Sequence, residues 1–243
     1  DCAFNKTPTY TTGKFGAKAL YIDGSSSFAQ LPYTVANHES ITIAAWVFWR
    51  GASAWQRIFD FGNSGSEYMF LTPRATSSKM RFGIKNNGEE LILEGQTYLT
   101  RLTWKHVAIT MSPTEVDMYV DGELVGSTTS ISIRPSDIKP IFNYIGRSQS
   151  ASDPLFSGYI DDFRIYNHAL SSADIKALVT LDAINGVEMS NTQKQISIYD
   201  LSGRFIKAIY SSGEDFKYNL PAGAYIIKTT EGTNISAKKI IVE

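Results

Sequence analysis

The chain has 243 residues, of which 43% are hydrophobic and 12% aromatic, and its formal net charge is −1. This composition supports a buried core and argues against a disordered chain. The near-zero charge and the lack of any Lys/Arg run exclude a nucleic-acid binder, because such binding depends on neutralising phosphates. No apolar run is long enough to span a membrane. Cys2 is the single cysteine, which excludes an intrachain disulfide and a cysteine-based zinc site.

The first hundred residues predict strands separated by turns. A short strand over residues 19–22 ends at Asp23-Gly24, and residues 41–49 (ITIAAWVFW) form an apolar segment on both alternating faces. A strand of that kind lies deep in a sandwich or lines a covered or ligand-binding face. Residues 79–85 alternate cleanly, and Asn87-Gly88 then predicts a hairpin back into residues 90–93.

The stretch 102–126 predicts the central meander. Its first strand alternates through Val107, Ile109 and Met111, and its second alternates through Val116 and Met118. Side chains two apart share one strand face, so both sets can lie against a single core. Ser112-Pro113 and Asp121-Gly122 provide the two reversals, which predicts antiparallel neighbours in an all-β domain.

Two further elements follow. Residues 156–166 (FSGYIDDFRIY) predict a strand with Asp161 on the same face as Phe163 and Ile165. A helix is expected to begin after Ser171, because Ser171 and Asp174 have the spacing of a capping box in which aspartate replaces the usual glutamate.

These motifs together resemble the bacterial laminin-G-like domains of the concanavalin A-like jelly-roll class. The motifs that carry the resemblance are GKFGAKALYIDG (13–24), ITIAAWV (41–47), WKHVAIT (104–110), MYVDG (118–122) and FSGYIDDFRIYNHALSSADI (156–175). We therefore expect a two-sheet jelly roll over residues 1–181. Such domains usually begin with a further stretch, and no signal peptide is visible, so we expect a processed piece of a longer precursor with an upstream domain.

The pattern changes from about residue 181. We interpret residues 181–195 as a linker that limited proteolysis should cut first, and residues 182–243 as a small Ig-like β-sandwich. The segments ISIYDLSGR (196–204), LPAGAYIIK (220–228) and KKIIV (238–242) resemble the C-terminal sorting domain of type IX secretion. The resemblance implies a secreted or cell-surface protein of a Gram-negative bacterium. A purely structural sandwich is the alternative.

Catalytic motifs are weak. Glu115 and Asp117 resemble the start of the Glu-x-Asp-x-x-Glu arrangement of laminarinase-type hydrolases, which share the jelly-roll fold. Tyr119 stands at the next place on that face, and Asp121 falls in a turn. A retaining glycosidase needs two placed carboxylates, so we predict that the chain is not an enzyme.

A structural calcium is the one cofactor considered. A lone ionised carboxylate at Asp161 is costly on an apolar face unless backbone N–H groups, an arginine or a cation satisfies it. Carboxylate and backbone carbonyl oxygens suit calcium, so Asp23 with Asp161 or Asp162 forms the candidate ligand set, in keeping with the calcium that the resemblance implies. Hydrogen bonding of Asp161 without metal, with Asp162 paired to Arg164, is the alternative.

Glycan binding is the leading functional hypothesis. Sugar sites combine aromatic platforms with a few polar groups, and the loop after residue 49 offers Trp55 with Arg50 and Gln56, followed by Trp49 and Tyr68. The predicted function is a non-catalytic carbohydrate-binding or adhesion module whose partner is a glycan or cell-surface polysaccharide. A glycoside hydrolase and a structural spacer are the alternatives.

Overall fold

The computed structural model describes residues 2–14, 18–185, 194–211, 220–231 and 234–242. The chain divides into two compact units, Asp1–Gly186 and Val187–Glu243. The first unit is a sandwich of two antiparallel seven-stranded sheets, and this confirms the predicted all-β jelly roll. The helix that follows it runs to Asn185, so the predicted linker begins within a helix, and residues 186–193 lie outside the described residues.

The strands and helices of the first unit, in chain order, are β1 (Ala3–Phe4), β2 (Thr9–Thr11), β3 (Ala19–Asp23), β4 (Ala29–Leu31), β5 (Ile41–Trp49), β6 (Phe59–Ser64), β7 (Glu67–Thr72), β8 (Arg81–Asn86), β9 (Glu89–Glu94), β10 (Trp104–Met111), β11 (Val116–Val120), β12 (Glu123–Thr128), α1 (Pro135–Ile138), β13 (Phe142–Ile145), β14 (Ser157–Tyr166) and α2 (Ser172–Asn185). Sheet A has the strand order β1-β4-β13-β6-β7-β8-β9, and sheet B has the order β12-β11-β10-β5-β14-β3-β2.

The main core lies between the two sheets. Strand β5 contributes Ile41, Ile43, Val47 and Trp49 to it, because alternate residues of a strand point to the same face. The predicted meander is confirmed as β10, β11 and β12, with Ile109 opposite Met118 in register. The alternate residues of these strands point away from the core, to the outer faces of the two sheets.

Helix α2 covers part of the outer face of sheet B. Its capping box is confirmed, since Asp174 N–H donates to Ser171 Oγ over 3.2 Å and Ser171 N–H donates to Asp174 Oδ2 over 3.2 Å. Ile175 and Leu178 of the helix pack on the outward side chains Ala44, Ala108 and Tyr119.

The second unit contains β15 (Lys194–Asp200), β16 (Phe205–Ser211), β17 (Gly223–Glu231) and β18 (Asn234–Val242). They form one four-stranded antiparallel sheet in the order β16-β15-β17-β18. Ile196, Ile198 and Ile227 form its small buried cluster. The segment 212–219 of this unit lies outside the described residues.

Candidate functional site

Trp55 is held at the end of the loop that connects sheet B to sheet A. Its backbone adopts φ +68°, which non-glycine residues seldom adopt, and its N–H donates to the carbonyl of Arg74 over 2.8 Å. The ring centroid of the indole lies 5.5 Å from the guanidinium of Arg57 and 5.2 Å from that of Arg81. Cation–π attraction to both groups helps to fix the half-buried ring in place.

Tyr68 and Phe70 lie beside Trp55 on the outer face of sheet A. They are two apart on β7 and so share a face, with ring centroids 5.6 Å apart, and Phe70 lies 6.5 Å from Trp55. The Tyr68 hydroxyl donates to Glu90 Oε1 over 2.9 Å, and burial together with this hydrogen bond raises the pKa of Tyr68 above its usual value. The structure thus brings the predicted residues Trp55 and Tyr68 together through Phe70. We call the half-buried Trp55, Tyr68 and Arg81, together with Phe70 and Arg57 that lie buried beneath them, the Trp55 surface.

Beneath this surface lies an ion-pair network that the sequence did not reveal. Arg57 Nε is 3.2 Å from Asp60 Oδ2, and Arg57 Nη2 is 2.9 Å from Asp153 Oδ2. The same guanidinium lies 4.0 Å from the centroid of Phe70. Burial raises the pKa of Asp60 to about 6, although Arg57 acts in the opposite direction. Arg57 therefore joins the aromatic surface to the buried carboxylates.

Arg81 and Glu94 form the more exposed rim. Arg81 donates from Nε and Nη2 to Glu94 Oε1 over 3.0 and 2.7 Å, and Ser77 Oγ donates to the same oxygen over 2.6 Å. The hydrogen bonds from Ser77 and then Arg81 lower the pKa of Glu94, so this carboxylate is charged at neutral pH. The rim thus offers both donors and acceptors next to aromatic rings.

The structure buries two residues of the predicted ligand-binding set, Trp49 and Gln56. Trp49 is fully buried, because it has the same strand parity as the core residues Ile41 to Val47 of β5. Its Nε1 donates to Gln56 Oε1 over 2.7 Å, and Gln56 Nε2 donates to the Leu155 carbonyl over 2.7 Å. Both ends of the amide are occupied within the fold, so neither residue faces a ligand.

The structure places Arg50 away from Trp55, with which the predicted ligand-binding set groups it. Its guanidinium lies over the rings of Tyr159 (5.7 Å) and Tyr21 (6.0 Å), both on the outer face of sheet B. Trp55 belongs to the other sheet. Arg50 and Trp55 are therefore not parts of one site.

The Asp23 carboxylate is satisfied by its own loop. Its Oδ1 accepts hydrogen bonds from the N–H groups of Ser25, Ser26 and Ser27 over 2.9, 2.7 and 2.9 Å, and its Oδ2 accepts one from Ser26 Oγ over 2.7 Å. Burial acts to raise the pKa of Asp23, but these hydrogen bonds outweigh it and hold the pKa well below its usual range.

Asp161 and Asp162 lie away from Asp23. Residue 157 pairs with Asp23, so Asp161 lies four residues further along the strand, about 13 Å away. Asp161 accepts hydrogen bonds from the N–H groups of Lys14 (2.8 Å) and Asp162 (2.9 Å), and Asp162 pairs with Arg164 at 2.5 Å. The structure does not bring the predicted calcium ligands together. Within the described part of the chain, no group of three or more His, Cys, Asp or Glu side chains is placed to hold a metal ion.

The two carboxylates considered for hydrolysis lie on the outer face of sheet B. Asp117 Oδ2 accepts a hydrogen bond from the Tyr119 hydroxyl over 3.0 Å, and Tyr119 is buried against α2. Glu115 is exposed in the turn before β11, where Ser127 Oγ donates to it over 3.3 Å. The buried Tyr119 thus lies next to Asp117 on this face and is hydrogen-bonded to it.

Family comparison agrees with this architecture. Residues 23–176 match the concanavalin A-like lectin/glucanases superfamily, and the chain belongs to that superfamily. Residues 179–243 match the secretion system C-terminal sorting domain, as the later strands predicted. No curated protein matches the chain in sequence.

Several solved structures share the fold. Domain 4 of an extracellular GH43 arabinanase from Geobacillus stearothermophilus, solved with arabinotriose, is 20% identical with a TM-score of 0.62, and the match covers 73% of this chain and 87% of that one. The CBM40 of a Ruminococcus gnavus IT-sialidase, solved with α2,3-sialyllactose, is 17% identical with a TM-score of 0.57 and covers 66% and 96%. A botulinum neurotoxin type C structure, from a toxin whose cell entry depends on two ganglioside molecules, is 13% identical with a TM-score of 0.59 and covers 98% and 67%.

The helices of the described residues are too short or too polar to span a bilayer.

Proposed function

We propose that this chain is a non-catalytic glycan-binding module of a secreted or cell-surface protein, and that the Trp55 surface is its binding site. The observation that carries the proposal is the grouping of the half-buried Trp55 and Tyr68, which the buried Phe70 joins, with the Arg81–Glu94 pair on one sheet face. Sugar sites need this combination of flat apolar surface and a few oriented polar groups.

The chemistry of the surface fits a carbohydrate ring. The apolar face of a sugar can lie on an indole or phenol ring, while its hydroxyls bond to groups at the edge. Arg81 supplies donors, and Glu90 and Glu94 supply acceptors. Because Trp55 is clamped by Arg57 and Arg81, little side-chain entropy is lost when a ligand binds. The arabinanase domain and the CBM40, which were solved with oligosaccharides, support the proposal by their shared fold.

Hydrolysis and a purely structural role are the two competing functions. A retaining mechanism needs two carboxyl groups about 5–5.5 Å apart around a bound sugar. The pair Glu115 and Asp117 lies on sheet B, where the buried Tyr119 packs beside Asp117. We therefore propose binding without turnover. A structural spacer would need no clamped aromatic cluster, which favours the binding function over that role.

The sorting domain supplies the proposed destination. A chain that carries such a domain at residues 179–243 is proposed to be exported by type IX secretion to the surface or exterior of a Gram-negative bacterium. In that setting the module would hold an upstream domain of the same precursor close to a polysaccharide. Tethering of this kind raises the effective concentration of the attached domain at its target.

A glycan array with the full chain tests the proposal. Trp55→Ala should abolish or reduce at least tenfold the binding of any neutral glycan that the wild type captures, since loss of an aromatic platform removes most of the contact. Tyr33→Ala is the matched control, because Tyr33 is 67% exposed and lies outside the surface. Melting curves establish that both variants fold.

Two outcomes would overturn the proposal. One is an array on which the wild type captures no glycan at all, which would favour the spacer. The other is release of reducing ends from a bound polysaccharide that Glu115→Gln abolishes, which would identify a hydrolase.

A further inference from the structure

The outer face of sheet B carries a row of aromatic side chains in cross-strand register. Trp104 of β10 pairs with Phe48 of β5, Phe48 pairs with Tyr159 of β14, and Tyr159 pairs with Tyr21 of β3. Because each strand is about 4.8 Å from the next, the row spans about 14 Å across four neighbouring strands. We call these four residues the aromatic row.

The rings of the aromatic row contact one another in sequence. The centroid distances are 5.7 Å for Phe48–Trp104, 5.5 Å for Phe48–Tyr159 and 5.4 Å for Tyr21–Tyr159. These tilted and edge contacts are favourable aromatic geometries, so the row is a preformed surface. All four side chains are half-buried, which leaves part of each ring in contact with solvent.

Among the described residues, helix α2 covers the other half of this sheet face, and Lys14 lies over Trp46 between the two halves, 4.9 Å from the ring centroid. The helix packs on Ala44, Ala108 and Tyr119, whereas the rings of the aromatic row stay partly exposed. Contiguous apolar surface that a protein leaves open marks an interaction site more often than single exposed residues do. The row therefore differs from the scattered surface aromatics of the chain.

Arg50 stands at the edge of the row, and Arg101 lies next to Arg50 with its guanidinium 5.9 Å from the ring centroid of the buried Trp49. The Arg50 guanidinium lies over the Tyr21 and Tyr159 rings, with Nη1 3.4 Å from the Tyr159 hydroxyl, and Arg101 Nη2 donates to the Arg50 carbonyl over 3.0 Å. Both arginines are exposed, and among the described residues neither has a carboxylate at ion-pair distance. The row thus combines aromatic faces with positive charge that the fold leaves without a counter-ion.

We infer that the aromatic row with Arg50 binds an acidic glycan, one whose sugar rings carry carboxylates. Apolar ring faces lie on the aromatics, and a carboxylate accepts charge-assisted hydrogen bonds from a guanidinium. This site goes beyond the proposed function, since it lies on the sheet opposite the Trp55 surface.

Titration calorimetry of the full chain tests this site, with a galacturonic acid tetrasaccharide and α2,3-sialyllactose as the acidic probes and lactose as the neutral one. The two acidic probes distinguish a uronate polymer from a sialylated glycan as the source. Arg50→Gln should weaken binding of the preferred acidic probe about tenfold, as expected for loss of a charge-assisted hydrogen bond. Phe48→Leu should weaken it as well, whereas raised salt should act on the wild type more than on Arg50→Gln.

Arg147→Gln is the matched control, because the Arg147 guanidinium also lies over aromatic rings, Phe28 at 4.6 Å and Tyr144 at 4.9 Å. It should leave acidic-glycan binding unchanged. Arg50 is exposed, so its variant is expected to fold, and a melting curve checks this. The inference is overturned if the wild type binds neither acidic probe at millimolar concentration, if Arg50→Gln binds the preferred acidic probe as tightly as the wild type, or if Trp55→Ala rather than Arg50→Gln removes the binding. In the last case the ligand belongs to the Trp55 surface, and the proposed function still stands.

Discussion

Arg57 and Asp60 form a buried ion pair on the outer side of sheet A, with Arg57 Nε 3.2 Å from Asp60 Oδ2 and side-chain exposures of 8% and 2%. Arg57 also reaches Asp153 and the face of Phe70. A buried guanidinium is stable in the fold only when carboxylates pair with it. Because Arg57 also supports the Phe70 ring, losing the ion pair should both destabilise the sandwich and disturb the Trp55 surface.

The first prediction concerns this pair. Arg57→Met should lower the free energy of unfolding by about 3–5 kcal/mol at pH 7, because Asp60 then stays buried without its cation, and either a buried unpaired charge or the uptake of a proton costs stability. Urea unfolding measures the change. The double variant Arg57→Met with Asp60→Leu should recover part of the loss, since it removes the orphaned charge. A single-variant loss below about 1 kcal/mol would show that the pair is solvated in solution.

The second prediction concerns two buried groups, His106 and Asp60, whose pKa shifts change the stability of the fold in opposite directions as the pH falls. Burial lowers the pKa of His106 to about 4, so the unfolded chain takes up a proton first and stability is lost as the pH falls from about 6.5 to about 4. Burial raises the pKa of Asp60 to about 6, so its contribution to stability grows as the pH falls through that value.

Urea unfolding between pH 7 and pH 4 distinguishes the two groups. His106→Gln should make the fall in stability with acid shallower, by at most about 3 kcal/mol, and Asp60→Asn should make it steeper. Parallel profiles for the wild type and both variants would mean that these groups do not titrate differently in the folded and unfolded chain.

The third prediction concerns Gly158, which lies next to the aromatic row. Its backbone has φ +153°, and a Cβ there would come 2.1 Å from the Phe48 carbonyl oxygen. Gly158→Ala should therefore destabilise the fold by about 1–3 kcal/mol or more, since the strand cannot move without shifting its partners. Gly65→Ala is the control, because no atom lies within 4 Å of the position that its new methyl group would take. Thermal unfolding compares the two, and an equal effect would disprove the steric argument.

The fourth prediction concerns calcium. Because Asp23 is already bonded to three serines and lies far from Asp161, we expect the melting temperature to be the same in excess calcium and in chelator. Asp23→Asn should lower the melting temperature in both conditions, since it weakens the hydrogen bonds of that loop. A melting temperature that rises with the logarithm of free calcium would restore the metal site.

Strand periodicity made much of the fold predictable. Strand β5 has the predicted bounds, Ile41–Trp49, and the turns at Asp121-Gly122 and Asn87-Gly88 lie where alternation stops. The capping residues Ser171 and Asp174 likewise determine the start of α2. These features depend on neighbours within a few residues, and such local preferences can be read from one sequence.

The sites depend on strand order and register, which local pattern does not determine. Arg50 and Trp55 belong to one short loop, yet that loop crosses from β5 in sheet B to β6 in sheet A, so the two side chains lie on different sheets. Asp60 is not recognisable from the sequence, because its environment comes from Arg57 and from Asp153, far away along the chain. Trp55 and Tyr68 are predictable because an aromatic residue in a loop or on an outward strand position is recognisable without knowing its partners.

The position of β5 has a consequence for how the chain folds. This most enclosed strand has no sequence neighbour as a partner: Ile43 pairs with Ile109 and with Ile165, about 65 and about 120 residues later. During synthesis both edges of β5 stay without their partners until β10 and then β14 have emerged. Pairings of this range close slowly and leave apolar strands open in the meantime. The hairpins β6 to β9 can pair locally before that point, whereas the centre of sheet B can be completed only after β14 has been synthesised.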